Sequence, residues 1–277
     1  IAEAGFPISG RTHSQATRVA QISQLSRREP ARSYFYDEEG NARPEGFIRT
    51  NPAYAGTLRQ IAADWRNFYT GEIAAQIVAL AGDEPRGGVL TLEDLANYEP
   101  VRREAVCMPY RIYRVCSAPP PSSGAVALGA IMGMLEGFEM SAFGPDTVEG
   151  WHFFIEASRL AYADRDQYVG DQAFADVPVD GLIDHDYLTE RRRLISPSGV
   201  IAEASHGTPP GAPELMPDSA PDNRGTSHFS IRDTFGNVVS MTSTVEAFFG
   251  NNRMTEGGFL LNNQLTDFSF LPRDADG

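Results

Sequence analysis

A threonine that follows a glycine at the start of a β-strand can act as its own catalyst. Residues 195 to 225 are rich in Pro, Ser, Ala, Gly and Asp and run straight into Gly225-Thr226, after which the pattern turns to β. Such a stretch buries too little apolar surface to form an element of its own, so a mobile linker is expected there. An accessible peptide bond ahead of a rigidly held strand is what a self-cleaving precursor requires. The Thr226 hydroxyl would attack the Gly225 carbonyl, and hydrolysis of the resulting ester would leave Thr226 as a new N-terminus. Its free α-amine, with a pKa near ~8, would then serve as the base for its own hydroxyl. The spacing alone does not demand this, because a threonine opening a strand is common on β propensity.

Other chemistries find less support. All 23 basic residues are Arg, so a Schiff-base or phosphate-loop lysine is absent from these 277 residues. The 37 acidic residues leave a formal charge of -14, which repels nucleic acid and anionic lipid surfaces. Nucleic acid is therefore not an expected partner. His13, His152, His185, His206 and His228 are scattered, with no pair at helical spacing and no cysteine nearby, so no metal or other cofactor is implied. His228 is expected to pack or hydrogen-bond beneath the threonine rather than act as a base. Cys107 and Cys116 flank a turn expected at Met108-Pro109-Tyr110; in that register they would not face one another, and packed thiols are expected.

The elements that must hold the threonine follow from periodicity. Residues 14 to 29 carry a weak helical pattern. From Asn51 on, Leu58, Ile61, Trp65, Ile73, Ile77 and Leu80 recur at helical spacing with a break near Tyr69-Thr70-Gly71, which predicts two helices. Thr91 and Asp94 form a capping box for a short helix from Leu92 to Tyr98. Residues 102 to 117 alternate as two strands, and Ser122 or Ser123 caps the helix that follows, whose Gly129, Gly133 and Gly137 let another element approach closely. That helix is too short to span a membrane. A further helix covers Val148 to Arg165, with Trp151, Ile155, Ala161 and Tyr162 expected on one apolar face. Residues 226 to 232 and 238 to 244 form a hairpin across Asp233 to Asn237, and Phe259 to Leu261 is expected to begin a third strand.

The runs Thr226-Ser227-His228-Phe229-Ser230, Thr242-Ser243-Thr244, Phe249-Gly250 and Leu261 to Ser269 resemble the gamma-glutamyltranspeptidase family around its processing site. Phe68-Tyr69-Thr70-Gly71, Gly88 to Leu95, Pro119 to Gly124 and Tyr162-Ala163-Asp164-Arg165 match the same family in the same order, so the similarity covers nearly the whole chain. The resemblance implies an α+β fold, the αββα sandwich of the N-terminal nucleophile hydrolases, incomplete here. Residues 1 to 194 would be the C-terminal part of a mostly helical large subunit, 195 to 225 the linker, and 226 to 277 the start of a β-rich small subunit, the two subunits associating after cleavage.

By the same resemblance Thr226 is the nucleophile, Gly225-Thr226 the processing site, and Thr244 the hydroxyl that orients the nucleophile. Gln264 and Asp267 would hold the α-ammonium of a γ-glutamyl group, a buried cation needing acceptors and an opposite charge. Glu246 stands where many members have Asn, and would add a second carboxylate beside Asp267. Asn262 and Asn263 would either organise the pocket or serve as turn amides. The family also uses residues ahead of Ile1 and beyond Gly277 for the substrate carboxylate and the oxyanion hole, so truncation at both ends and an inactive fragment are expected. The implied reaction passes a γ-glutamyl group from a small, glutathione-like donor to water, an amino acid or a peptide, in the periplasm or outside the cell. The alternatives are a cephalosporin or poly-γ-glutamate type acylase, or an uncleaved, inactive binding relative.

Overall fold

The computed structural model describes residues 1–83, 87–213 and 226–265. It contains two compact units, one taking in Ile1–Pro100 and Ser219–Gly277, the other Val101–Asp218. Composition divided the chain at residues 195 and 226; the compact units instead group the first hundred residues with the C-terminal stretch.

In the first unit β1 (Phe6–Pro7) leads into α1 (Gly10–Val19), capped by Ser9, whose hydroxyl accepts from the Thr12 amide at 3.1 Å. The helical pattern read over 14 to 29 stops at Val19, because Ser23 caps a separate 3-10 turn that buries Leu25 completely. Helix α2 (Ala31–Phe35) and strand β2 (Ile48–Arg49), paired with β1, come next. The two predicted helices are α3 (Pro52–Ala63) and α4 (Gly71–Ala81). Asn51 caps α3 and Pro52 fills its first turn, where a missing N–H costs nothing. A short 3-10 turn and Gly71 at φ +76° make the break between them. The capping box of Thr91 and Asp94 is complete and opens α5 (Leu92–Ala96). The unit's core joins Ala16, Leu25, Ala31, Phe35, Tyr36 and Ala42 to Phe249 and Met254 from the far end of the chain.

In the second unit β3 (Val106–Tyr110) pairs with β4 (Tyr113–Ser117). The turn falls at Arg111-Ile112, with Arg111 at φ +55°, two residues later than the sequence reading put it. That shift brings Cys107 directly opposite Cys116, and they form a disulfide rather than packed thiols. Helix α6 (Gly124–Leu135) starts at Ser123, which makes no side-chain cap. Its glycines serve packing: a Cβ on Gly129 would come within 2.7 Å of Met108, and one on Gly133 would strike Leu188. Helices α7 (Val148–Tyr168), α8 (Val179–Leu182) and α9 (His185–Arg192) complete the unit, whose core packs Ile131, Met134, Leu135, Phe153, Leu160 and Leu188 together.

The buried side of α7 is not the one read from its aromatics. Trp151, Ile155 and Tyr162 are about half exposed, and the inward face is Phe153, Glu156, Ala157, Leu160, Ala161, Asp164 and Tyr168. Two carboxylates on that face mask it in a hydrophobicity pattern. Both are answered by donors, as buried charges must be. Asp164 accepts from Tyr187 Oη (2.9 Å), Arg191 Nε (3.2 Å) and the Gly207 amide (2.7 Å). Glu156 accepts from Arg159 (2.9 Å) and the Ile201 amide (2.7 Å).

These bonds correct the linker reading for residues 195 to 213. Ile195 and Pro209 are buried, Arg191 donates to the Ser205 carbonyl at 2.7 Å, and Tyr168 Oη donates to the Gly207 carbonyl at 2.7 Å. The stretch is polar and proline-rich, yet its backbone is bound by the carboxylates and guanidinium of α7 and α9. Residues 214 to 225 lie outside the described residues.

Replacing Asp164 by Ala would leave Arg191, 6% exposed, as an unanswered buried cation. The expected loss is about 3–5 kcal/mol of unfolding free energy, read by denaturant titration of the full-length protein. A loss under about 1 kcal/mol would mean that water reaches this pair.

Candidate active site

The candidate nucleophile stands at the open end of a hairpin. Strands β5 (Ser227–Arg232) and β6 (Val238–Ser243) are antiparallel, and the turn between them is closed by one residue. Asp233 accepts from the amides of Phe235 (2.9 Å) and Asn237 (2.8 Å) and from the Asn237 side chain (2.7 Å), while Gly236 supplies φ +89°. The Asn237 side-chain amide, aided by the backbone amides, holds the Asp233 carboxyl below its ordinary pKa.

This turn fixes the register. Ser227 faces Ser243 and His228 faces Thr242, so one further step of the same ladder sets Thr226 across from Thr244. Successive residues of a strand point to opposite faces, which sorts Thr226, His228, Ser230, Ser240, Thr242 and Thr244 onto one side. The other side carries Phe229, Ile231, Val239 and Met241. On the polar side His228 Nδ1 lies 2.8 Å from Thr242 Oγ1, and Nε2 lies 3.0 Å from Ser240 Oγ. Both ring nitrogens are engaged by hydroxyls.

Beyond the hairpin the chain turns sharply. The Thr244 hydroxyl accepts from the Glu246 amide at 2.8 Å. Glu246 is 7% exposed and sits at φ +66°, the left-handed region where Asn is the favoured side chain after Gly. A glutamate is strained in that conformation. Its carboxylate accepts from the Leu265 amide at 3.3 Å. The Asn263 amide donates to the Val245 carbonyl (3.3 Å), and the Asn263 side chain accepts from the Ala247 amide (2.9 Å). Residues 244–247 and 262–265 therefore run side by side, bringing Thr244, Glu246 and the Gln264 segment together. Asn262 accepts from the Gln264 amide at 2.8 Å and so caps a local turn, whereas Asn263 ties the two segments together. Gly225 and Asp267 lie outside the described residues.

The third strand expected at Phe259 to Leu261 does not form. Leu260 makes a single bridge to Met254, with the Thr255 amide donating to the Phe259 carbonyl at 2.9 Å. Gly257-Gly258 fold the segment back on itself, so it pairs with its own neighbour rather than with the hairpin. Among the described residues the strands make three separate two-stranded sheets. No three His, Cys, Asp or Glu side chains cluster as a metal site among the described residues, and no described helix is long and apolar enough to cross a membrane.

The described residues combine helices and antiparallel strands in an α+β fold, and the solved structures it resembles are N-terminal nucleophile hydrolases. The chain matches the cephalosporin acylase of Bacillus halodurans with a TM-score of 0.78 and 32% identity, over 98% of this chain and 47% of that one. It matches Helicobacter pylori gamma-glutamyltranspeptidase with a TM-score of 0.67 and 33% identity, over 79% and 61%. In sequence it is 40% identical over 219 residues to a glutathione hydrolase proenzyme of Pseudomonas sp. (strain A14), which covers 78% of this chain and 36% of that relative. The gamma-glutamyltranspeptidase family model matches residues 1–276, and the chain belongs to that family. It spans less than half the length of the glutathione hydrolase relative just described.

With both nitrogens of His228 held by hydroxyls, His228→Asn in the full-length enzyme should lower kcat by less than about tenfold. A general base would be worth about 10²–10⁴-fold. A loss above 100-fold in steady-state turnover would assign the proton transfer to His228.

Proposed function

We propose that the full-length protein is a self-processing γ-glutamyl transferase and hydrolase whose nucleophile is Thr226. The observation that carries this reading is the hairpin register, whose outermost pair, Ser227 and Ser243, leaves Thr226 and Thr244 as the next two residues on either strand. In processing, Thr226 Oγ attacks the Gly225 carbonyl carbon and the peptide C–N bond breaks as its nitrogen takes up a proton. Water then cleaves the ester, leaving a Gly225 carboxylate and Thr226 with a free amine and hydroxyl. In turnover the amine accepts the hydroxyl proton, Oγ attacks the γ-carbonyl of the donor, and the departing amine takes that proton. The γ-glutamyl ester on Thr226 then passes to water or to the amino group of an amino acid or peptide.

Thr244 is assigned the task of orienting Oγ. Gln264, Asp267 and Glu246 are assigned to the substrate α-ammonium, since a buried ammonium needs acceptors and an opposite charge. Glutathione-like donors fit this assignment. The residues before Gly225 would form the large subunit and those from Thr226 the small one, remaining associated after the cut. The disulfide between Cys107 and Cys116 favours an oxidising compartment, the periplasm or the cell exterior. The second reading, an acylase taking a glutaryl-like group, is favoured by the extent of the match to the Bacillus halodurans acylase.

One measurement tests the nucleophile and a second separates the two readings. Thr226→Ala should abolish both the cut and turnover, and N-terminal sequencing of the small piece should begin at Thr226; any other first residue overturns the assignment. For the acyl group, kcat/KM should favour γ-glutamyl over glutaryl amides by ~10⁴-fold, as when a site's polar groups lose their partner. Comparable values for the two would select the acylase reading.

A further inference from the structure

Strands β5 and β6 are exposed along their whole length in these 277 residues, so the hairpin itself buries little. The hold on the first hundred residues lies further along, between Phe249 and Leu260. Phe249 and Met254, 4% and 5% exposed, enter the core formed by Ala16, Leu25, Ala31, Phe35, Tyr36 and Ala42, with Phe249 edge-on to Phe35 at 5.0 Å.

Beside that core, side chains of α3 and α4 grip a glycine turn by its backbone. Asn51 Nδ2 donates to the Gly258 carbonyl (2.8 Å), Thr57 Oγ1 donates to the Gly257 carbonyl (2.8 Å), and Gln76 Oε1 accepts from the Gly257 amide (2.8 Å). In the other direction Arg253, 7% exposed, donates to the Leu80 carbonyl at 2.7 Å. The fit leaves no space: Gly258 is at φ +81° and a Cβ there would lie 2.7 Å from the Tyr54 amide and strike Asn51, while one on Gly257 would lie 2.7 Å from Thr57 Oγ1. Thr255, 2% exposed, closes the turn by accepting from the Gly258 amide through its carbonyl at 2.9 Å.

We propose that the turn Arg253 to Leu260 is the clasp that keeps the nucleophile-bearing piece docked on the N-terminal piece once the chain is cut. Its receptor is formed by Asn51, Thr57, Gln76 and the Leu80 carbonyl. The inference rests on the cut proposed before Thr226, for then each of these intramolecular bonds becomes a bond between two chains. Recognition is by backbone groups and by the absence of side chains, so the partner is specified as a glycine pair in a left-handed turn. The clasp is complete in the uncut chain, so docking precedes the cut.

The test uses the full-length protein with a specific protease site inserted between residues 214 and 225, so that the cut can be made whether or not the chain cuts itself. A denaturing gel reports cleavage, and gel filtration at nanomolar concentration reports whether the pieces stay together. Thr57→Val combined with Gln76→Ala should raise the dissociation constant about 10-fold or more, each change stranding a buried backbone group. Gly258→Val should do so at least as strongly. Gly236→Val serves as the control: the same left-handed demand at φ +89°, but nothing within 4 Å of its Cβ. It should leave association unchanged. Cut Thr57/Gln76 and Gly258 variants that co-elute as wild type does would overturn the clasp. A wild type that is never cut without the added protease would overturn self-processing alone, and the inserted site would still decide the clasp.

Discussion

The side-chain amide of Asn51 is used at both ends, and much of the first unit depends on it. Its oxygen accepts from the Tyr54 amide at 2.9 Å and so starts α3; its nitrogen donates to the carbonyl of Gly258, 207 residues away. Asn51 is 8% exposed, so water cannot easily replace either partner. Once α3 is fixed, Thr57 falls on the glycine turn, and the turn sets Met254 and Phe249 into the core. The chain on either side of that turn then has little freedom. Gly250, at φ +55°, lies against the Leu261 backbone, and the Asn251 amide donates to the Leu261 carbonyl at 3.0 Å. Those constraints run directly into 244–247 and 262–265, where Thr244, Glu246 and Gln264 stand.

The second unit solves a different problem, how a strongly acidic chain can place carboxylates inside. Glu156 and Asp164 share the inward face of α7 and are 2% and 1% exposed. Burial alone would raise the Glu156 carboxyl, but the Ile201 amide and the Arg159 guanidinium outweigh it and hold the pKa below its ordinary value. Stability from such a group is present above the ordinary carboxyl range and fades as pH falls through the lowered value. The same charge state fastens the Ile201 backbone to the helix. The Tyr187 hydroxyl moves oppositely: burial, with the Asp164 carboxylate close by, pushes it well above its usual range, so it remains a donor.

What could be read in the sequence was local. The capping box at Thr91, the break between α3 and α4, the hairpin turn at Asp233 and the glycine spacing of α6 each depend on residues a few positions apart. The pairing of β5 with β6 belongs with them, because a single turn of known length sets it. The failures share a cause in distance or in mixed polarity. The disulfide was missed through placing one turn two residues early, which shifts every partner along the pair. The inward face of α7 was missed because Glu156 and Asp164 count as polar until Ile201 and Gly207 supply their donors. Residues 195 to 213 read as linker because nothing in their composition shows that Arg191 and Tyr168 hold their carbonyls. The grip of Asn51 on Gly258 had no local signal at all, beyond a Gly-Gly pair whose tight fit only the fold explains.

The exposed position of Thr226 at the open end of the hairpin has an analytical consequence in a chain whose basic residues are all Arg. Within these 277 residues there is no lysine amine to react, so an α-amine released at Thr226 would be the sole internal primary amine. Its pKa near ~8 lies well below the ~10.4 of a lysine side chain, so a larger share is unprotonated near neutral pH. An acylating label would therefore distinguish processed from unprocessed chains by attachment at one residue, and the group it blocked would be the one that must take the hydroxyl proton.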